Sequence, residues 1–144
     1  MFYPIQVSKT DAGRFVVTSR DVPECIYSDA TEDEALRHAQ EMLPGTLELC
    51  YRRKKKPFPL PSALQEGEVP VFVPLKIQAK IFFWNALCAR GIKLTEAARM
   101  LDEQPSRVQC MVDLSKDGAS IEAIEGALEA LGGHFTLSAE SDPS

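Results

Sequence analysis

Between Leu94 and Ser115 the chain reads LTEAARMLDEQPSRVQCMVDLS, and the apolar spacing of this stretch leaves few ways to fold. Leu94, Ala97, Ala98 and Leu101 mark one short helix, and Val108, Met111, Val112 and Leu114 mark a second, with a turn of about four residues between them. Two short helices joined this way are the layout of a helix-turn-helix, which lays its second helix in a DNA major groove. The pair sits inside a longer run, Val73 to Gly133, that reads as five helical segments linked by short turns. Ile77, Ile81, Trp84 and Cys88 share one face of its first helix, with Trp84 as core and Gly91 placed to end the helix. Ile121, Ile124, Leu128 and Leu131 mark a last amphipathic helix closing at Gly132-Gly133.

Upstream of residue 75 the period changes from 3.6 to 2. Phe2 to Ser8 alternates with Tyr3, Ile5 and Val7 on one side, and Lys9 to Gly13 is a turn. Arg14 to Ser19 alternates again, and Cys25 to Ser28 is predicted as a third short strand. Thr31 and Glu34 form a capping box ahead of a helix whose stripe is Ala35, Leu36, Ala39, Leu43, Leu47 and Cys50. Pro44-Gly45 predicts a kink or break in it, because Pro44 cannot donate to residue 40. Lys56 to Ser62, with prolines at 57, 59 and 61, must be extended. Val69 to Pro74 reads as a strand that Pro70 and Pro74 confine to a sheet edge. His134 to Ser138 alternates as a final strand.

The fold class expected is α+β. Residues 1–72 form a small sheet-plus-helix domain, residues 73–140 an all-α helix-turn-helix domain with a short terminal strand, and residues 141–144 a tail.

Composition is that of a soluble globular protein, with 44% hydrophobic and 26% charged residues. The most apolar stretch, VFVPLKIQAKIFFWNAL, is broken by Pro74, Lys76, Gln78 and Lys80 and does not read as a membrane span. The start, MFYPIQVSK, lacks the basic residues and apolar block of a signal peptide. Cys25, Cys50, Cys88 and Cys110 form no CxxC pair, which argues against a zinc site and fits unpaired thiols in a reducing cytoplasm. The net charge of −5 argues against a nucleic-acid binder until its distribution is read. Residues 1–51 carry four cations and nine anions, whereas Arg52-Arg53-Lys54-Lys55-Lys56 is a run of five cations. Lys76 to Lys116 holds seven cations against four anions, and the residues beyond carry only anions. The basic excess therefore falls on the helix-turn-helix.

Gln104, Ser106, Arg107 and Gln109 lie at the start and exposed side of the second helix, and Gln and Arg are the side chains that pair bidentately with adenine and guanine edges. Lys93, Thr95 and Lys116 are the candidates for phosphate contacts; the plain alternative for all seven is a solvated helix face. The run Arg52 to Lys56 reads more simply as cations closing a helix C-terminus than as a nucleic-acid grip. No catalytic constellation is legible. Asp11 lies in a turn, Asp21 ends a strand, Glu24 follows a proline, and the two histidines, His38 and His134, fall in different domains. No metal site and no cofactor are expected.

The order and spacing of YPIQV, GRFVVTSRDVPE, DATEDEALRHAQEML, PFPLPS, VPLKIQAKIFFWNAL, GIKLTEAARML and IEAIEGALEALG resemble the HicB family of antitoxins, over nearly the whole chain. The resemblance implies an N-terminal domain like a partial, inactive RNase H fold that covers HicA, a small basic endoribonuclease cleaving messenger RNA. It implies a C-terminal helix-turn-helix that represses the operon. Two positions depart from the family pattern: Cys110 stands where an Arg is common, and Asp102 where a Gly is common in the turn. The expected protein is a cytoplasmic antitoxin and autorepressor, not an enzyme. Its expected partners are a HicA-like toxin, operator DNA and further copies of itself, as a dimer or tetramer. Two rivals are a stand-alone transcription regulator with an N-terminal ligand-sensing domain and a degenerate nuclease that retains activity.

Overall fold

The alternation at the N-terminus builds a four-stranded antiparallel sheet, which the computed structural model describes together with the rest of residues 1–141. Residues 142–144 of the expected tail lie outside the described residues. The strands β1 (Phe2–Lys9), β2 (Phe15–Ser19), β3 (Tyr27–Asp29) and β4 (Val69–Phe72) stand in the order β3-β2-β1-β4. Tyr3 and Ile5 of β1 and Val17 of β2 point into the core and are fully buried. β4 takes the edge, as its prolines require. Pro70 falls opposite Pro4 of β1, a pairing that is possible only where neither residue must donate to the other. β2 begins its pairing with β1 at Ile5, so the missing N–H of Pro4 costs the ladder nothing on that side either.

The third strand lies two residues later than predicted. Cys25 donates to Val22 O at 2.9 Å and Ile26 to Glu24 O at 3.1 Å, so both residues belong to the preceding turn. α1 (Glu32–Cys50) starts at Thr31, whose hydroxyl accepts from Glu34 N at 3.2 Å. Of the kink or break expected at Pro44-Gly45, the break does not occur: α1 runs unbroken for 19 residues. Ala35, Ala39, Leu43 and Leu47 are buried on both sides of the proline. Each buried Leu is worth about 1.5–3 kcal/mol, enough to offset one missing backbone bond. Thr46 adds a bond to Met42 O at 3.0 Å and meets the Tyr27 hydroxyl at 2.7 Å.

The proline-rich stretch after α1 is held along its length. Trp84 Nε1 donates to Lys56 O at 2.8 Å, and Asn85 both accepts from Phe58 N (2.7 Å) and donates to Phe58 O (3.0 Å). The Tyr3 hydroxyl donates to Pro59 O at 2.7 Å. Arg20 forks onto Glu68 at 2.8 Å and also reaches Ser62 and Ala63.

From Val73 to Gly133 there are four helices rather than five: α2 (Leu75–Arg90), α3 (Leu94–Leu101), α4 (Pro105–Cys110) and α5 (Ile121–Ala130). Gly91 ends α2 with φ +66°, its own N–H bonding Cys88 O while Ile92 N bonds Leu87 O. Asp102 ends α3 in the same left-handed conformation (φ +52°), with Glu103 N bonded to Ala98 O. An Asp accepts this backbone more readily than most residues, so the turn forms without a glycine. α4 is shorter than its apolar spacing predicts. Met111, Val112 and Leu114 are buried as expected, but in the turns that follow Cys110.

The predicted strand at His134 to Ser138 is a correction: these residues form no strand within the described chain. The alternation of Phe135 and Leu137 is real, but a strand exists only where another takes its backbone bonds. No strand pairs with this segment, and Leu137 is 77% exposed.

A buried polar cluster joins the end of α1 to the segment after α4. Glu48, only 1% exposed, accepts from Arg52 Nε, from Arg53 Nε at 3.2 Å and from Leu114 N at 2.9 Å. Arg52 reaches Asp113 Oδ2 at 3.4 Å and lies over the Trp84 ring. Fully buried Lys80 donates to the carbonyls of Asp113 and Lys116, and its burial holds its pKa below the usual lysine range. Burial works against ionised Asp113. The N–H and hydroxyl of Ser115, with the charge of Arg52, outweigh that effect and hold the carboxyl below the usual range.

Candidate nucleic-acid interface

All seven predicted residues are exposed on or beside α3 and α4, whose inward positions are taken by Ala97, Ala98 and Val108. Lys93 is the residue before α3, and Thr95 lies in its first turn. Gln104 precedes α4, Ser106, Arg107 and Gln109 lie on it, and Lys116 follows in the turns beyond. One open cleft of about 1060 Å³ gathers four of the seven: Lys93, Thr95, Gln109 and Lys116. Its apolar wall includes Trp84, Leu87 and Ile92. Among the described residues, Lys93 and Lys116 take part in no salt bridge.

Arg107 is not brought to this cleft. It lies in a second groove with Glu103, Met111 and α5 residues such as Ala123, with its Nε 3.4 Å from Glu103 Oε2. Helical spacing explains the split: with Val108 inward, Gln109 and Arg107 fall on opposite flanks of α4. Gln104 and Ser106 are exposed but line neither concavity. Cys110 is half-buried, and a Cβ placed on Gly118 would come within 3.1 Å of its sulfur.

Three residues whose run the sequence assigns to a helix end line the same cleft, Arg52, Arg53 and Lys55. They belong to a single 3-10 turn, Arg52–Lys54, capped by Lys55 at φ +59°. The signal was the run of five cations itself; what the sequence hid was which of them face inward. Arg52 is buried against Glu48 and Asp113, while Arg53 is half-exposed and Lys55 exposed.

Two of the three carboxylates weighed for catalysis serve the scaffold. Asp21 accepts from Ser62 N at 2.9 Å, and Glu24 accepts from the Tyr51 hydroxyl at 2.7 Å. Asp11 stays in its turn, and His38 sits 3.2 Å from Asp29 Oδ2 beside the Tyr27 ring. Among the described residues no group of three or more His, Cys, Asp or Glu is placed to hold a metal ion. All four cysteines are free, and burial pushes the Cys25 thiol up to about 11. No helix among the described residues is long and apolar enough to cross a membrane.

Comparison with known proteins covers both halves. Residues 2–82 match the family described as HicB-like antitoxin of bacterial toxin–antitoxin systems. The chain is 34% identical to antitoxin HicB 2 of Photorhabdus laumondii, over 95% of each protein. It is 27% identical to antitoxin HicB of Escherichia coli K12, over 95% of this chain and 98% of that one. Antitoxin HicB 1 of Photorhabdus laumondii is 28% identical, over 97% of this chain and 88% of its own length.

Proposed function

Because the chain belongs to the family of HicB-like antitoxins of bacterial toxin–antitoxin systems, we propose that it neutralises a HicA-type messenger-RNA endoribonuclease and represses its own operon by binding operator DNA. Residues 1–72 act as the toxin-binding domain in this reading, and residues 73–140 as the DNA-binding and dimerisation domain. The excess of anions in residues 1–51 supports the first role, since opposite charge steers a basic partner into contact. The second role is carried by one observation: Lys93, Thr95, Gln109 and Lys116, separated by up to 23 positions, converge on a single cleft. Lys93, Thr95 and Lys116 hold the duplex by its phosphates while Gln109 reads a base edge.

One helix-turn-helix covers a half-site, so the operator-bound species is a dimer or a tetramer, with two-fold-related recognition helices about 34 Å apart. The protein acts in the cytoplasm, where messenger RNA is, and performs no catalysis itself.

The test is co-expression with the product of the adjacent reading frame. Restored growth and co-purification of the two chains are expected. Undiminished toxicity of that product, with no complex recovered, would overturn the antitoxin role proposed for this pair.

A further inference from the structure

We propose that Arg53 and Lys55 grip the sugar–phosphate backbone of the same duplex that α3 and α4 read, so that the DNA-binding surface begins at the end of α1. The proposal rests on the DNA-binding reading above. Its ground is the cleft, where both residues share a wall system with Lys93, Thr95, Gln109 and Lys116. The turn that carries them is fixed rather than loose. Lys54 N and Lys56 N both bond Tyr51 O, Lys55 N bonds Arg52 O, and Trp84 holds Lys56 O. Cations held in place lose less freedom on binding than cations on a free loop.

The cleft's accessible charge is positive. Asp113 also lines it, but its carboxylate is taken by Arg52 and Ser115. Glu48, which Arg53 touches, is buried beneath. Lys55 has no salt bridge among the described residues. The four exposed cations, Arg53, Lys55, Lys93 and Lys116, come from three separate segments and line an open cleft of about 1060 Å³. That spread suits an extended polyanion better than a free phosphate ion. Duplex DNA is the polyanion that the recognition helix on the same cleft would already hold.

The test measures binding of the full chain across a salt series, on duplex DNA from upstream of its own gene and on a scrambled duplex. Lys55→Asn removes one charge and keeps a side chain that tolerates φ +59°. Arg53→Gln leaves Glu48 its bonds from Arg52 and Leu114. Removing one cation from a phosphate should lower the slope of log K against log salt by about 0.9, so the slope for the double variant should fall by about 1.8 on both duplexes. Lys93→Ala serves as the comparator inside the helix-turn-helix, and Lys54→Gln as a charge removed from the same run outside the cleft. Slopes unchanged in both Lys55→Asn and the double variant, while Lys93→Ala still lowers its own, would overturn this proposal and leave the DNA-binding reading standing. So would an equal drop for Lys54→Gln, or an effect confined to single-stranded RNA of matched length. No binding of either duplex by the unaltered chain would overturn both.

Discussion

Arg52 and Lys55 stand three places apart in one run of cations and both line the cleft, yet the charge of one is spent in a buried junction and that of the other stands on an open surface. Arg52 is part of the buried junction, locked between Glu48 and Asp113 with 8% of its surface exposed. Lys55 is part of the open cleft and has no salt bridge among the described residues. In the junction Arg52 is matched by Glu48 and Asp113, which are also out of water, and the arrangement fixes how the end of α1 meets the segment after α4. In the cleft Lys55, Lys93 and Lys116 have no salt bridge among the described residues, which is what an interaction surface for a polyanion requires. The same residue types therefore do opposite work, and the difference lies in what the rest of the chain brings beside them.

The most severe way to break the contrast is Glu48→Ala. It strands the Arg52 guanidinium inside the junction and removes the acceptor for Leu114 N. A loss of about 3–5 kcal/mol is expected, read by urea unfolding. A loss below about 1 kcal/mol would mean that Arg52 escapes to solvent and that the junction is no different from the cleft.

A smaller effect is expected at Asp113, and it carries a pH signature. Its folded carboxyl titrates below the usual range, so its contribution is present above that range and is lost as pH falls through the folded value. At neutral pH Asp113→Asn should cost about 1.5–3 kcal/mol, the range for a hydrogen bond to a charged group. The gap between variant and unaltered chain should close in acid. A gap independent of pH would show that the carboxylate charge contributes nothing at the junction.

The finest distinction falls on the two flanks of α4. Gln109→Ala should weaken operator binding by about 1–3 kcal/mol and scrambled duplex less, with stability unchanged. Arg107→Ala, on the flank turned toward α5 and Glu103, should have the lesser effect on the operator. Binding isotherms on both duplexes decide it, and the reverse order would move the reading face of α4 away from the cleft.

What was legible in the sequence is what short-range chemistry decides. The alternation of Tyr3, Ile5 and Val7, the cap at Thr31, the glycine ending α2 and the two helices around Asp102 all follow from residues within a turn or two of one another. The misreadings share the opposite character. Pro44 is a local breaker overruled by a stripe buried on both sides of it. The terminal strand had the local pattern and lacked a partner. Lys93, Thr95, Gln109 and Lys116, singled out by type and periodicity, line one cleft. Separating Arg52 from Lys55 required knowing that Asp113, 61 positions from Arg52, comes to rest beside it.

The pairing of β4 with β1 has a consequence for how the chain is made. Tyr3 leaves the ribosome long before Val71, its partner across the ladder, and the held proline-rich stretch is synthesised between them. At about 5–20 residues per second, one side of β1 therefore stays an open hydrogen-bonding edge for several seconds of every round of translation. An open edge is a template for other strands, so nascent or prematurely terminated chains ending before residue 69 are the species most exposed to aggregation or proteolysis. The N-terminal half thus becomes a finished object only after the chain has grown past Phe72, which ties the supply of working protein to elongation as much as to initiation.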